Sequence, residues 1–223
     1  MSARDRILAR LRGAPAGEAV PLPDVAAWYA GKPTIEPAAR IERFRANMEA
    51  SHAEVHDTDA ASWPALLTRI AAAKGVGRLL VGGGAEAGVL ADRGACAEHG
   101  IQLVRYDRPA AEWREDFFDG IDAALTPARS AIADTGSLIL WPGADAPRLM
   151  SLVPAIHFVL LDAARIHATL YEAMTAERWG DGMPTNALVI SGPSKTADIQ
   201  QTLAYGAHGP RELVILLLGG AQS

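Results

Sequence analysis

From Arg78 onward the sequence keeps one rhythm: a short apolar run, a breaker, then a segment long enough for a helix. RLLVGG leads into a helical stretch over 86–99 that stops at Gly100, and IQLVRY leads into AEWREDFF. GIDAALTPA, IHFVLL, ALVISG and ELVILLL continue the series of apolar runs, with ARIHATLYEAM and TADIQQTLA as the helical segments between the later ones. Strands separated by helices of this length argue for a parallel or mostly parallel sheet, covered on both faces. The fold class expected is therefore α/β.

Before this series, residues 36–50 place Ile41, Phe44 and Met48 on one helical face, HAEVHD reads as a strand, and SWPALLTRIAAAKG reads as a helix. In that helix Ser62 is the N-cap, Pro64 lies in the first turn and Gly75 ends it. SAIADTGSLILWPG breaks the rhythm with two short β-like runs on either side of Asp134-Thr135-Gly136. Residues 1–35 read as an arm: a short amphipathic helix with Ile7, Leu8 and Leu11 at helical spacing, then a connector with Pro15, Pro21 and Pro23. The arm's apolar side needs cover, which points to a homo-oligomer. Residues 36–223 read as a single α/β domain.

Composition excludes several function classes. Hydrophobic residues make up 49% and charged residues 21% of the 223, enough apolar material for a core. A net charge of −5 lacks the footprint of a nucleic-acid binder. The single cysteine, Cys96, rules out an internal disulfide and any thiolate set for an iron–sulfur cluster or zinc ribbon, and it reads as a small buried filler. The expected setting is the cytoplasm. No apolar stretch approaches the ~20 residues a spanning helix needs, and the N-terminus lacks the apolar core of a secretory signal. His52 and His56 fall in a strand reading, where they stand too far apart to share a metal; His157 and His167 lack acidic partners in spacing, so no metal site is expected.

Three stretches carry candidate chemistry. In SGPSKTADIQQTLAYGAHGP, the turn after ALVI feeds a helix expected to start near Thr196 with Asp198 in its first turn. A helix start at the end of a parallel strand binds anions through free N–H groups and the dipole. Gly192, Ser194, Lys195 and Thr196 would then make a carboxylate or anion pocket, with His208 close by as a proton-moving group. The same residues also suit a capped turn. In ADTGSLIL, Asp134 is a candidate general base beside Thr135, Gly136 and Ser137, and the turn equally suits a hairpin. Finally, Gly82, Gly83 and Gly84 follow a strand and permit close approach of a phosphate or acyl group, although they lack the order of a dinucleotide or P-loop fingerprint.

The segments ADTGSLIL and ISGPSKTADIQQTLAYGAHGP resemble the LUD-domain family, in particular its lactate-utilisation protein C group. GPSKTADI followed by GAHGP is the more specific part, and the order of elements is similar over roughly residues 40–218. The resemblance implies a Rossmann-like layered fold of the NagB/RpiA/CoA-transferase type. It also implies L-lactate oxidation to pyruvate together with partner proteins, some carrying iron–sulfur clusters. This chain departs from the family's Glu-Thr-Gly-Thr turn: Asp134-Thr135-Gly136-Ser137 shortens the carboxylate by one methylene. No cofactor is readable in the chain itself. Electron transfer needs one, so the chain is expected to bind a small anionic metabolite while partners carry electrons. Two alternatives stand beside this: a stand-alone enzyme acting on a phosphosugar or acyl-CoA, and a non-catalytic scaffold.

Overall fold

The computed structural model describes residues 2–14, 21–92, 94–197, 203–206 and 208–219. The chain divides into two compact units, Met1–Pro33 and Thr34–Ser223. The first holds two helices, α1 (Ala3–Arg12) and α2 (Val25–Ala30). Ser2 and Asp5 form a reciprocal cap at the start of α1, satisfying two backbone donors that a helix start leaves free. Ile7, Leu11 and Trp28 in these helices are exposed.

In the second unit the helices are α3 (Pro37–Ala50), α4 (Trp63–Ala73), α5 (Ala85–Asp92), α6 (Ala95–Glu98), α7 (Arg114–Asp119) and α8 (Leu170–Ala176). The strands are β1 (Glu54–Thr58), β2 (Arg78–Val81), β3 (Gln102–Arg105), β4 (Ala123–Pro127), β5 (Ser130–Ile132) and β6 (Ser137–Leu140). There follow β7 (Ile156–Asp162), β8 (Ile166–His167), β9 (Leu188–Ile190), β10 (Lys195–Ala197), β11 (Leu203–Tyr205) and β12 (Glu212–Leu218). Six of them make a parallel sheet in the order β1-β12-β7-β4-β2-β3. Four make a smaller sheet in the order β8-β5-β6-β9, and β10 pairs with β11.

The parallel sheet is the expected one, and β12 shows why it must be covered on both sides. Val214 and Leu216 point into a cluster with Leu67, Leu79 and Phe158, covered by α4 and α5. Leu213, Ile215 and Leu217 point the other way, into a cluster with Phe44 and Met48 of α3 and Leu138 and Leu140 of β6. That second face has two separate covers. The small sheet and α3 lie over β7 and β12, while Trp113, Phe117 and Met150 pack on Leu80 and Ala124 of β2 and β4. Cys96 is buried among the first cluster, as a filler should be.

Several elements differ from the sequence expectation. The helix over 86–99 is two helices, because Gly94 takes φ +62 and restarts the chain. In ARIHATLYEAM only the second half is helical; Ile166–His167 adds a strand to β5, and Thr169 then caps α8 by accepting from Glu172 N. ALVI is not a buried parallel strand. It runs antiparallel to β6 at the edge of the small sheet, leaving Val189 50% exposed. Edge strands need only one buried face, which the apolar run could not reveal.

Phe158 is fully buried where β7 meets the helical cover. Phe158→Ala is expected to lower unfolding stability by about 3–5 kcal/mol, read as a fall in the urea midpoint with little change in slope.

Candidate functional site

The ADTG turn closes the hairpin between β5 and β6, with Ile132 paired to Ser137. Helix α3 holds it from one side. Asn47 donates to the carbonyls of Ala133 (2.9 Å) and Asp134 (3.2 Å), and the Arg43 guanidinium lies 2.7 Å from the Asp134 carboxylate. Gly136 takes φ +54, and a Cβ there would stand 2.4 Å from that of Asn47. Turn and helix meet backbone to side chain, a fit only glycine permits. Asp134 thus faces α3. From the other side of the turn, Thr135 Oγ1 lies 2.7 Å from Ser137 Oγ, which lies 2.7 Å from Ser191 Oγ. Two loops distant in the sequence meet through this line of hydroxyls.

Ser191 opens the second loop. Gly192 takes φ +142 with its Cα against Ser51, just beyond α3. Ser194 is the fastening point: its N–H donates to Pro210 O (2.8 Å), its carbonyl accepts from Gly206 N (3.0 Å), and its Oγ accepts from His208 N (3.3 Å). These bonds tie the GAHGP segment to SGPS. The expected helix start at Thr196 is not formed. Lys195–Ala197 is a strand paired antiparallel with Leu203–Tyr205, Thr196 opposite Ala204. The pairing takes up backbone groups that a helix start at Thr196 would leave free. Thr and Tyr both suit a strand, and local pattern does not separate the two outcomes. Asp198 lies outside the described residues. Gly206 follows β11 at φ +81.

Beneath this loop is a cleft of about 320 Å³, at the seam between the two covers of the second sheet face. Its lining includes Ser151, His157, Gly192, Ser194, Lys195 and His208. The positive charge available is the exposed Lys195 ammonium; His208 is also exposed. His157, set aside in the sequence reading, is fully buried on β7, opposite Leu213 of β12 and Ala124 of β4. Its Nε2 lies 2.8 Å from Thr126 Oγ1, and its Nδ1 has no hydrogen-bond partner among the described residues. Burial depresses its pKa to about 3, so the ring is neutral. The available signal was a histidine inside the otherwise apolar run IHFVLL.

The structure thus brings Gly192, Ser194, Lys195 and His208 to one cleft, joined through Ser191 to Ser137 and Thr135. Asp134, Gly136 and the three glycines after β2 are not part of its lining. Gly83 N donates to Asp145 O (2.8 Å), and a Cβ on Gly82 would lie 1.6 Å from that same oxygen. Gly82 and Gly83 let the loop around Asp145 pack close, and Gly84 lies against Glu86. A larger cavity of about 640 Å³ opens near the C-terminal ends of β7 and β12, but Glu36, Glu42 and Asp162 line it, which disfavours an anion. Among the described residues, no group of three or more His, Cys, Asp or Glu side chains could hold a metal ion, and no helix is long and apolar enough to cross a membrane.

Residues 41–218 match the LUD domain family. An uncharacterised protein of Neisseria meningitidis serogroup B is 39% identical over 98% of this chain and 94% of its own length. Lactate utilization protein C of Deinococcus radiodurans is 35% identical over 54% of this chain and 56% of that protein, and YkgG of Escherichia coli K12 is 32% identical over 41% of this chain and 41% of that protein. The chain therefore matches only about half the length of the relatives that carry the lactate-utilisation name. A crystal structure of a DUF162 family protein from Deinococcus radiodurans superposes with a TM-score of 0.58 at 23% identity, covering 83% of this chain and 100% of that one.

Two outcomes follow from this geometry. Gly136→Ala forces a Cβ into Asn47 at an unfavourable φ and should cost about 1–3 kcal/mol in a denaturant titration. His157 titrates near 6.5 when unfolded and about 3 when folded. Its contribution to stability is therefore complete above pH 6.5 and falls with pH, by about 1.4 kcal/mol per unit, down towards the folded value. Urea unfolding of His157→Asn at a series of pH values should lack that slope between pH 6.5 and about 5, above most carboxylate titration.

Proposed function

The chain belongs to the LUD-domain family, and on that premise we propose that it serves lactate utilisation by binding a small 2-hydroxy or 2-oxo acid while iron–sulfur partner proteins carry the electrons. The observation that carries this reading is the cleft itself: one ammonium, Lys195, and an imidazole, His208, stand at the rim of a seam that also holds hydroxyl groups. A carboxylate pairs with Lys195 through a charge-assisted hydrogen bond. Relatives named lactate utilization protein C support the substrate class. The partner requirement rests on chemistry. Converting lactate to pyruvate releases two electrons and two protons, and one buried cysteine supplies too few thiolates for a cluster. In this reading the electrons pass to other proteins.

In this reading His208 accepts the alcohol proton, because it lines the cleft and is accessible. Asp134 has a different part. Its carboxylate is already held by Arg43, so it fixes the hairpin on α3 and, through Thr135, Ser137 and Ser191, the wall of the cleft.

The test uses the purified full chain alone and mixed with candidate iron–sulfur partners. Lactate oxidation should appear only in the mixture. Lys195→Ala should weaken binding of lactate and pyruvate about 10- to 100-fold, the loss expected for a hydrogen bond to a charged group. His208→Ala should keep binding and lower the rate of the mixture. Full-rate oxidation by the chain alone with NAD would overturn the division of labour.

A further inference from the structure

The inner end of the cleft holds a hydrogen-bonding group with nothing to bond. Thr126 Oγ1 is buried, and its partner among the described residues is His157 Nε2 at 2.8 Å. Its hydroxyl has one proton to donate. Given to Nε2, that proton satisfies the hydroxyl and leaves the single proton of the neutral ring on Nδ1. The opposite tautomer strands two groups at once: a Thr126 hydroxyl with no acceptor and a Nδ1 lone pair with no donor. Each stranded buried group costs about 1–3 kcal/mol. The first arrangement is favoured, and it leaves one N–H unpaired at Nδ1. That nitrogen is shielded from bulk water while its side chain lines the cleft.

We propose that His157 is a binding residue whose Nδ1–H donates to an acceptor oxygen of the ligand. The proposal rests on the reading of the cleft as a site for a small hydroxy or oxo acid, and it names the atom read at the inner end. Lys195 takes the carboxylate at the rim; His157 takes the oxygen at carbon 2. A carbonyl oxygen accepts without bringing a proton of its own. An alcohol accepts too, and its own O–H then needs a second acceptor, the place that His208 takes in the proposed function. Thr126 acts as a positioning residue that fixes the tautomer. Nothing in the local sequence announces this. A histidine and a threonine on neighbouring strands, in diagonal register, meet only in the folded sheet.

The experiment labels the full chain with ¹⁵N-histidine and reads, by long-range NMR, which ring nitrogen of His157 carries the proton. Sodium pyruvate, sodium lactate and inorganic phosphate are then titrated in. The free protein should show the Nδ1–H form, and pyruvate and lactate should each shift that signal, since a carbonyl and an alcohol oxygen both accept. His157→Leu should weaken pyruvate binding about tenfold or more. His157→Asn, which places an amide N–H near the Nδ1 position, should restore part of it. Thr126→Val should redistribute the tautomers and Thr126→Ser should not. The Nε2–H form in the free protein, or unchanged pyruvate affinity in folded His157→Leu, overturns the proposal. Pyruvate binding that moves the His208 signals but leaves His157 still would reject it and keep the cleft. Failure of all three anions to bind would remove both.

Discussion

The pairing of β7 with β12 is the constraint on which the rest of the structure depends. Seven residues of each strand run in register, and both strands have parallel neighbours on their outer sides. Their backbone groups are satisfied within the sheet, so what remains is to keep apolar side chains from water on two faces. Burial at about 25 cal/mol per Å² makes an open face untenable for a strand reading ELVILLL. One face is closed by α4, α5 and α6. The other is closed in two pieces, and the cleft lies at the join between them.

This placement has a physical logic. A continuous helical layer would have filled the seam with hydrocarbon. A small sheet ending in loops instead leaves backbone and hydroxyl groups at the join, and these groups pin one another. Ser194 alone makes three hydrogen bonds to the segment before β12. The two turns are drawn together by hydroxyls and by glycines that let α3 approach them. The cleft's walls are therefore set by hydrogen bonds in place before any ligand arrives, which lowers the ordering cost of binding. His157 forms its polar end, and Thr126 bonds to that ring from the neighbouring strand.

Much of the fold was legible because parallel strands buried on both faces leave a mark in composition alone. ELVILLL and IHFVLL read as strands without any knowledge of their neighbours, and the face of α3 was visible in the spacing of Phe44 and Met48. The short segments were not legible in the same way. SKTADIQQTLAY satisfies a helix rule at Ser or Thr and a strand rule at Thr and Tyr, and three-residue strands carry too few positions for a period to show. The glycines after β2 suited a phosphate loop and turned out to accommodate Asp145, since both uses ask only for a missing Cβ.

The sequence by itself determined the layered α/β class, the parallel sheet and the two polar loops, because each follows from burial and turn chemistry within a dozen residues. Tertiary structure alone decided which of those polar residues share a space. It set Asp134 against Arg43, joined Ser137 to Ser191, and brought Thr126 under His157 across neighbouring strands. Distances between such residues depend on strand order and register, which are settled by the packing of whole faces and not by any local run of side chains.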